Sequence, residues 1–141
     1  MTRSDIKVIS IRPSWCQDAS NVERNLGPIV RDFAAPNSGF LAYICIPDLA
    51  RAIALAALNT ALPGHHVVYI AAADTAGGHD LAAWTKAKYG DTVPVSAALP
   101  SPTASSLSCA KAQQLLGWTP TLTWRNYLGA DGMLLPTAPG L

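Results

Sequence analysis

The side chains best able to ligate a metal or attack a substrate stand at spacings that suit neither task. His65, His66 and His79 have no paired carboxylate or cysteine at ligand spacing, so they do not describe a metal site. Cys16, Cys45 and Cys109 are odd in number and widely scattered, which fits buried free thiols better than a disulfide framework. Ser14 and Ser106 lack a G-x-S-x-G setting, which argues against a hydrolase with a nucleophile elbow. Trp84, Trp118, Trp124 and Tyr127 read as core and interdomain packing rather than as a stacking platform for nucleic acid. Asp48, just after Pro47, places a carboxylate at the first turn of an alanine-rich stretch, where unpaired amides favour negative charge.

These residues must be positioned by alternating strands and helices. Ile6–Ile11 is β-branched and nearly continuous, as in a strand buried on both faces, and Val67–Ala71 has the same character more than fifty residues on. The two form a parallel pair with helices between them. The run Phe40–Leu58 changes period at Pro47: an extended piece to Ile46 leads into a helix with apolar residues Leu49, Ala52, Ile53, Ala56 and Ala57, expected to be buried on nearly all sides. Residues 21–33 show a helical face of Val22, Leu26, Ile29, Val30 and Phe33, which Gly27-Pro28 is expected to kink or break. A turn-rich connection fills 34–39, a helix spans 79–89, a short strand 92–97 and a loop 100–106. A helix over 108–116 stops at Gly117, and Thr123 caps a last helix through Leu128. The tail 129–141 is expected to be disordered.

A chain of 141 residues suits one domain and buries roughly two thirds of its unfolded surface. Half of the residues are hydrophobic, 13% are charged and the net charge is +1, a balance that suggests neither a nucleic-acid tract nor a polybasic membrane anchor. The low charge suggests that some apolar surface meets another chain or domain. Asp48 and Arg51 interrupt the best apolar run below the ~18 residues of a membrane span, and the first residues have no signal-peptide core, so a cytoplasmic location is the default expectation.

Four pieces, in order, resemble the extended short-chain dehydrogenase/reductase family, the NAD(P)-dependent sugar-nucleotide epimerases and dehydratases. Val8–Ser14 is similar to the family's strand and loop that pass the nicotinamide, and Asn25-Leu26-Gly27-Pro28 to the segment approaching the substrate pyrophosphate. Tyr43–Ala50 is similar to its strand-to-helix junction, and Ala110-Lys111-Ala112 with Leu115–Pro120 to its closing Ser-Lys-Ala and Leu-Gly-Trp-x-Pro pattern. The resemblance spans about 6–128 and implies an α/β fold: a partial Rossmann-type parallel sheet of two strands with helices and a small C-terminal substrate lobe. It also implies NAD or NADP as the cofactor of the complete fold, with Arg12, Pro13 and Ser14 on the cofactor side and Asn25 and Leu26 on the substrate side. Read as residues alone, an arginine at a strand end such as Arg12 more often pairs with a local carboxylate or carbonyl, and Asn25 equally suits a solvated or capping amide.

The family's G-x-x-G-x-x-G fingerprint, which lets backbone approach a pyrophosphate, does not occur here. Its Tyr-x-x-x-Lys proton-transfer pair is missing too: residues four after Tyr43, Tyr69, Tyr89 and Tyr127 are Pro47, Ala73, Val93 and Asp131. Hydride chemistry by these residues alone is therefore not expected, nor is cofactor binding, and the sequence resembles the C-terminal part of a larger ancestor. Leu41 stands where the family places a phosphate-pairing arginine, and Pro100–Thr103 replace its basic residues, which points to a less anionic substrate such as a small ketone or aldehyde. Two readings follow: a substrate portion that works with a glycine-rich half, or a non-catalytic module that pairs with a partner or itself through the Ile6–Ile11 edge.

Overall fold

The computed structural model describes residues 6–37 and 39–140; Ser38, in the expected 34–39 connection, and Leu141, in the expected tail, lie outside the described residues. The fold is α/β, with two short parallel sheets and four helices among the described residues. Strand β1 (Val8–Pro13) pairs in parallel with β4 (His65–Ile70), in register from Val8 opposite His65 to Pro13 opposite Ile70. A second parallel pair joins β2 (Trp15–Gln17) to β3 (Tyr43–Cys45). The chain crosses from one sheet to the other at Ser14.

The expectation that β1 is buried on both faces is not met. Ile9, Ile11, Val68 and Ile70 turn toward helices α2 (Ile46–Leu58) and α4 (Ala110–Leu116), while Val8 and Tyr69 on the other face are each 42% exposed. Side chains alternate across a strand, and among the described residues no second layer covers the outer face. Helix α2 departs from expectation for the same reason. It packs against β3, β1 and α4 on one side only, so that Asp48 and Ala52 are buried while Ile53 and Leu58 are 51% and 79% exposed.

Helix α1 (Val22–Arg31) runs unbroken through Gly27-Pro28. The proline ring deprives the Arg24 carbonyl of a donor, but Arg24 and Pro28 both face solvent, where water replaces it. The buried face carries Val22, Leu26, Gly27 and Ile29. Gly27 supports the tail: a Cβ there would stand 2.6 Å from the Gly132 carbonyl oxygen, so the two backbones touch.

Residues 129–140, expected to be disordered, are folded onto this face. Leu128 and Leu134 form an antiparallel bridge, the Leu134 amide donates to Glu23 Oε2 at 2.8 Å, and Ala138 is buried. Gly129 and Gly132 allow this stretch to turn and to lie against α1.

Three local features separate the remaining expectations from the structure. The extended stretch expected from Phe40 begins only at Tyr43, because Phe40 and Leu41 occupy the left-handed region with φ of 49° and 60°. Asn37 Oδ1 holds that turn by accepting from the Gly39 and Leu41 amides, both at 3.0 Å. The strand expected over 92–97 is a 3-10 turn, Gly90–Thr92, followed by irregular chain; Pro94 lacks a donor and no neighbouring edge receives this stretch. Helix α3 (Leu81–Tyr89) starts at an Asp80 cap, whose carboxylate accepts from the Ala83 amide at 2.8 Å. Helix α4 ends at Gly117 in the left-handed conformation (φ 64°), as its sequence predicted, and Thr123 caps a 3-10 turn, Trp124–Asn126.

Candidate functional site

Parallel strands aim their carboxyl ends the same way, and the crevice beyond those ends is where open α/β sheets receive ligands. Here β1 delivers Ser14 and β4 delivers Ala71–Ala73 to such a crevice. Ser14 is fixed by its amide, which donates to the Ile70 carbonyl at 3.0 Å. The Ala72 amide donates to the Tyr43 carbonyl at 2.7 Å, joining the end of β4 to the second sheet. Beyond it, the Ser105 amide bonds Ala73 O at 3.0 Å and the Thr75 amide bonds Thr103 O at 2.8 Å, so the 103–105 segment forms a wall.

Two cavities open here. One of about 450 Å³ lies among Ser14, Phe40, Leu81, Thr85, Val95 and Leu107. The other, about 530 Å³, lies between Ala71–Ala73, Ser108, Cys109 and Trp118. Ser96, Leu99, Ser106 and Leu107 border both, so the two are ends of one cleft. No charged side chain lines either end. Thr85 is buried, and its Oγ1 has no hydrogen-bond partner among the described residues.

The thiols add no charge at neutral pH. Cys109 Sγ accepts from the Ala71 amide at 3.2 Å, and burial raises its pKa despite that bond. Cys45 is pushed up to about 12 by burial and by the negative charges of Asp48 and Asp74, which leaves it protonated and unreactive.

Two buried side chains hold the cleft from behind. Tyr43 is fully buried; its hydroxyl donates to Asp74 Oδ1 at 2.6 Å and accepts from the Trp124 amide at 2.8 Å. Burial, then the Asp74 charge, raises its pKa, and Asp74 also pairs with Arg125 at 2.6 Å. Asp48, expected to serve its own helix start, instead reaches the C-terminal segment: its oxygens accept from the Thr121 amide (2.7 Å), the Leu122 amide (2.8 Å) and Thr121 Oγ1 (2.8 Å). Arg51 bonds the same carboxylate at 2.7 Å and also the Thr119 carbonyl. Burial opposes ionisation of Asp48, but the Arg51, Leu122 and Thr121 hydrogen bonds outweigh it and hold the carboxyl below its ordinary range. Trp118 Nε1 donates to the Asp48 carbonyl at 3.0 Å, which sets the indole as the floor of the second cavity.

Of the five residues named from the sequence, Ser14 lies in the cleft. Arg12 is one step outside it on the open sheet face, its guanidinium 3.4 Å from the Tyr69 hydroxyl and 5.9 Å from that ring's centre. Pro13 is exposed at the end of β1, opposite Ile70. Asn25 donates to Gln17 Oε1 at 3.2 Å, and Leu26 is fully buried in the core, so these two tie α1 to its surroundings and line neither cavity. The histidines make local bonds: His65 Nε2 with Ser10 Oγ at 2.8 Å, His66 with Pro63 O at 2.9 Å and His79 with Ile29 O at 2.6 Å. Among the described residues no three His, Cys, Asp or Glu gather as a metal site, and no helix is long and apolar enough to cross a membrane. Phe40, Leu81, Thr85, Val95 and Leu107 were not foreseen as site residues; they come from four distant stretches, and no local spacing marks them.

No family model matches the chain, and a search of the curated proteins finds no match. Among solved structures it is similar to the Bordetella bronchiseptica enzyme WbmF in complex with NAD+, at 18% identity and TM-score 0.42, covering 88% of this chain and 42% of that one. The same enzyme with NAD+ and UDP gives 17% identity, TM-score 0.44 and coverage of 88% and 43%. The chain thus spans less than half the length of the solved structures it resembles.

Proposed function

We propose that these residues form the substrate-side portion of an NAD(P)-dependent epimerase, dehydratase or reductase, without catalytic competence of their own. The observation that carries this reading is the parallel β1–β4 pair whose carboxyl ends open directly on an uncharged cleft reached by Ser14. On this reading Arg12 and Pro13, at the same strand end, serve the nicotinamide carried by a neighbouring glycine-rich unit. The absence of G-x-x-G-x-x-G and Tyr-x-x-x-Lys from the 141 residues assigns the pyrophosphate cradle and the proton-transfer pair to that unit.

A calorimetric titration of the chain with NAD(H) and NADP(H), beside sequencing of the transcript upstream of Met1, tests the reading. The expected result is no micromolar cofactor binding by the chain alone, and an upstream or adjacent reading frame that encodes both missing motifs. A transcript whose neighbouring frames encode neither would overturn it.

The free edge of β1 favours a second reading, a non-catalytic module that pairs with a partner or a second copy through the Ile6–Ile11 edge. Ile6 is 50% exposed beside Val8, and β1 pairs with β4 alone among the described residues. Light scattering after size exclusion separates the two: a monomer that gains cofactor affinity with the glycine-rich unit supports the first, and a concentration-dependent dimer without nucleotide affinity supports the second.

A further inference from the structure

We infer that the cleft takes an electrically neutral ligand, with an apolar body seated against Phe40, Leu81 and Leu107 and a hydrogen-bonding group directed to the hydroxyls at its waist. The inference deepens the reading above by naming the ligand class, and it rests on that reading only for calling the ligand a substrate. Three observations lead to it. The first is the absence of charge: among the residues lining both cavities there is no Lys, Arg, His, Asp or Glu. A nucleoside diphosphate brings at least two negative charges, and desolvating them against Leu, Val and Phe side chains is strongly unfavourable without a cation.

The second is size and lining. A cavity of about 450 Å³ lies in the range of small-molecule pockets, which are mostly apolar with a few placed polar groups. The polar groups here are uncharged and mostly hydroxyls: Ser14 at one side, Ser96 and Ser106 where the two cavities meet, and Ser108 farther along, with the Gln113 amide at the far end. Each can donate or accept, which suits a carbonyl or alcohol. Buried Thr85, whose hydroxyl is unpartnered, belongs to the same wall.

The third is preorganisation. Phe40 is held on the cleft by a left-handed backbone that Asn37 stabilises, and its ring stacks on Tyr89 at 5.4 Å with Trp84 edge-on at 6.1 Å. Non-glycine residues are rarely kept in that region, and such positions concentrate at ligand sites. The apolar wall therefore stands ready without a ligand.

Titration of the ¹⁵N-labelled chain with acetophenone, a neutral aromatic ketone, and with UDP-glucose, followed by amide chemical shifts, tests the inference with no cofactor present. Its failure is thus separate from failure of the cofactor reading. Acetophenone is expected to give saturable shifts at Phe40, Thr85 and Leu107, and UDP-glucose none there. Val95→Lys, on the irregular 93–99 stretch where folding is not at stake, is expected to weaken acetophenone binding about tenfold or more by placing a charge against the ligand. Leu99→Lys serves as a second variant of the same kind. Saturable UDP-glucose shifts in the cleft, no acetophenone shifts up to its solubility limit, or unchanged affinity in both lysine variants would overturn it.

Discussion

Replacing Asp48 by asparagine leaves the shape of the side chain intact and removes a charged acceptor from four donors. The carboxylate accepts from the Thr121 and Leu122 amides, from Thr121 Oγ1 and from Arg51, all within 2.7–2.8 Å. An amide keeps one acceptor oxygen and turns an N–H₂ group toward donors it cannot satisfy. A hydrogen bond to a charged group contributes about 1.5–3 kcal/mol, and the Arg51 side chain, 38% exposed, counts at the low end. Two lost bonds give a penalty of about 3–5 kcal/mol, a large fraction of the ~5–15 kcal/mol that holds a domain together. The assay is equilibrium unfolding in urea, followed by tryptophan fluorescence, at pH 7 and pH 2. Because the Asp48 pKa is lowered in the folded state, its contribution is present above the unfolded value of about 3.9 and is lost as pH falls through the folded value. Wild type and Asp48→Asn should therefore differ by several kcal/mol at pH 7 and by less at pH 2. A penalty below about 1 kcal/mol at pH 7, or the same penalty at both pH values, would refute the assignment of Asp48 as the tie between α2 and the Trp118–Leu122 segment.

Further outcomes follow from the same contacts. Gly27→Ala, a change that stabilises most helices by up to about 1 kcal/mol, is expected to destabilise here by about 1–3 kcal/mol, since its Cβ would lie 2.6 Å from Gly132 O; faster proteolysis within 129–140 is the readout. Tyr43→Phe removes the hydroxyl shared by Asp74 and the Trp124 amide and should cost about 1–3 kcal/mol in the same urea assay. In wild type the raised Tyr43 pKa makes stability full below the unfolded value of about 10 and lost progressively above it; Tyr43→Phe should flatten that alkaline limb in a pH series. Val8→Lys on the open sheet face should leave the unfolding free energy within about 0.5 kcal/mol of wild type and abolish any concentration-dependent mass seen by light scattering.

The parts of the fold that were legible in the sequence are those with a local cause. The β-branched runs announced the β1–β4 pair, Pro47 marked the start of α2, and Gly117 and Thr123 marked a helix end and a cap. The errors lie where distant contacts decide. The position of 129–140 beyond the last expected helix hid its contact with Gly27, and the apolar face of α2 suggested more covering layers than the described residues provide. Asp48 was recognised as structural, but its partners lie some seventy residues on and carry no mark in the local pattern. Of the site, Ser14 was named only through the family resemblance of Val8–Ser14, not by any local spacing. The opposite wall, at Phe40, Leu81, Val95 and Leu107, is assembled by topology alone.

The folded-back tail also bears on when this molecule can be completed during synthesis. Glu23 waits for Leu134, 111 positions later, so the latch on α1 is among the last of the described residues to leave the ribosome. A nascent chain that lacks it exposes the Gly27 flank of α1, and contacts of such long sequence separation form slowly. Until that latch arrives, the Gly27 flank of α1 stays uncovered.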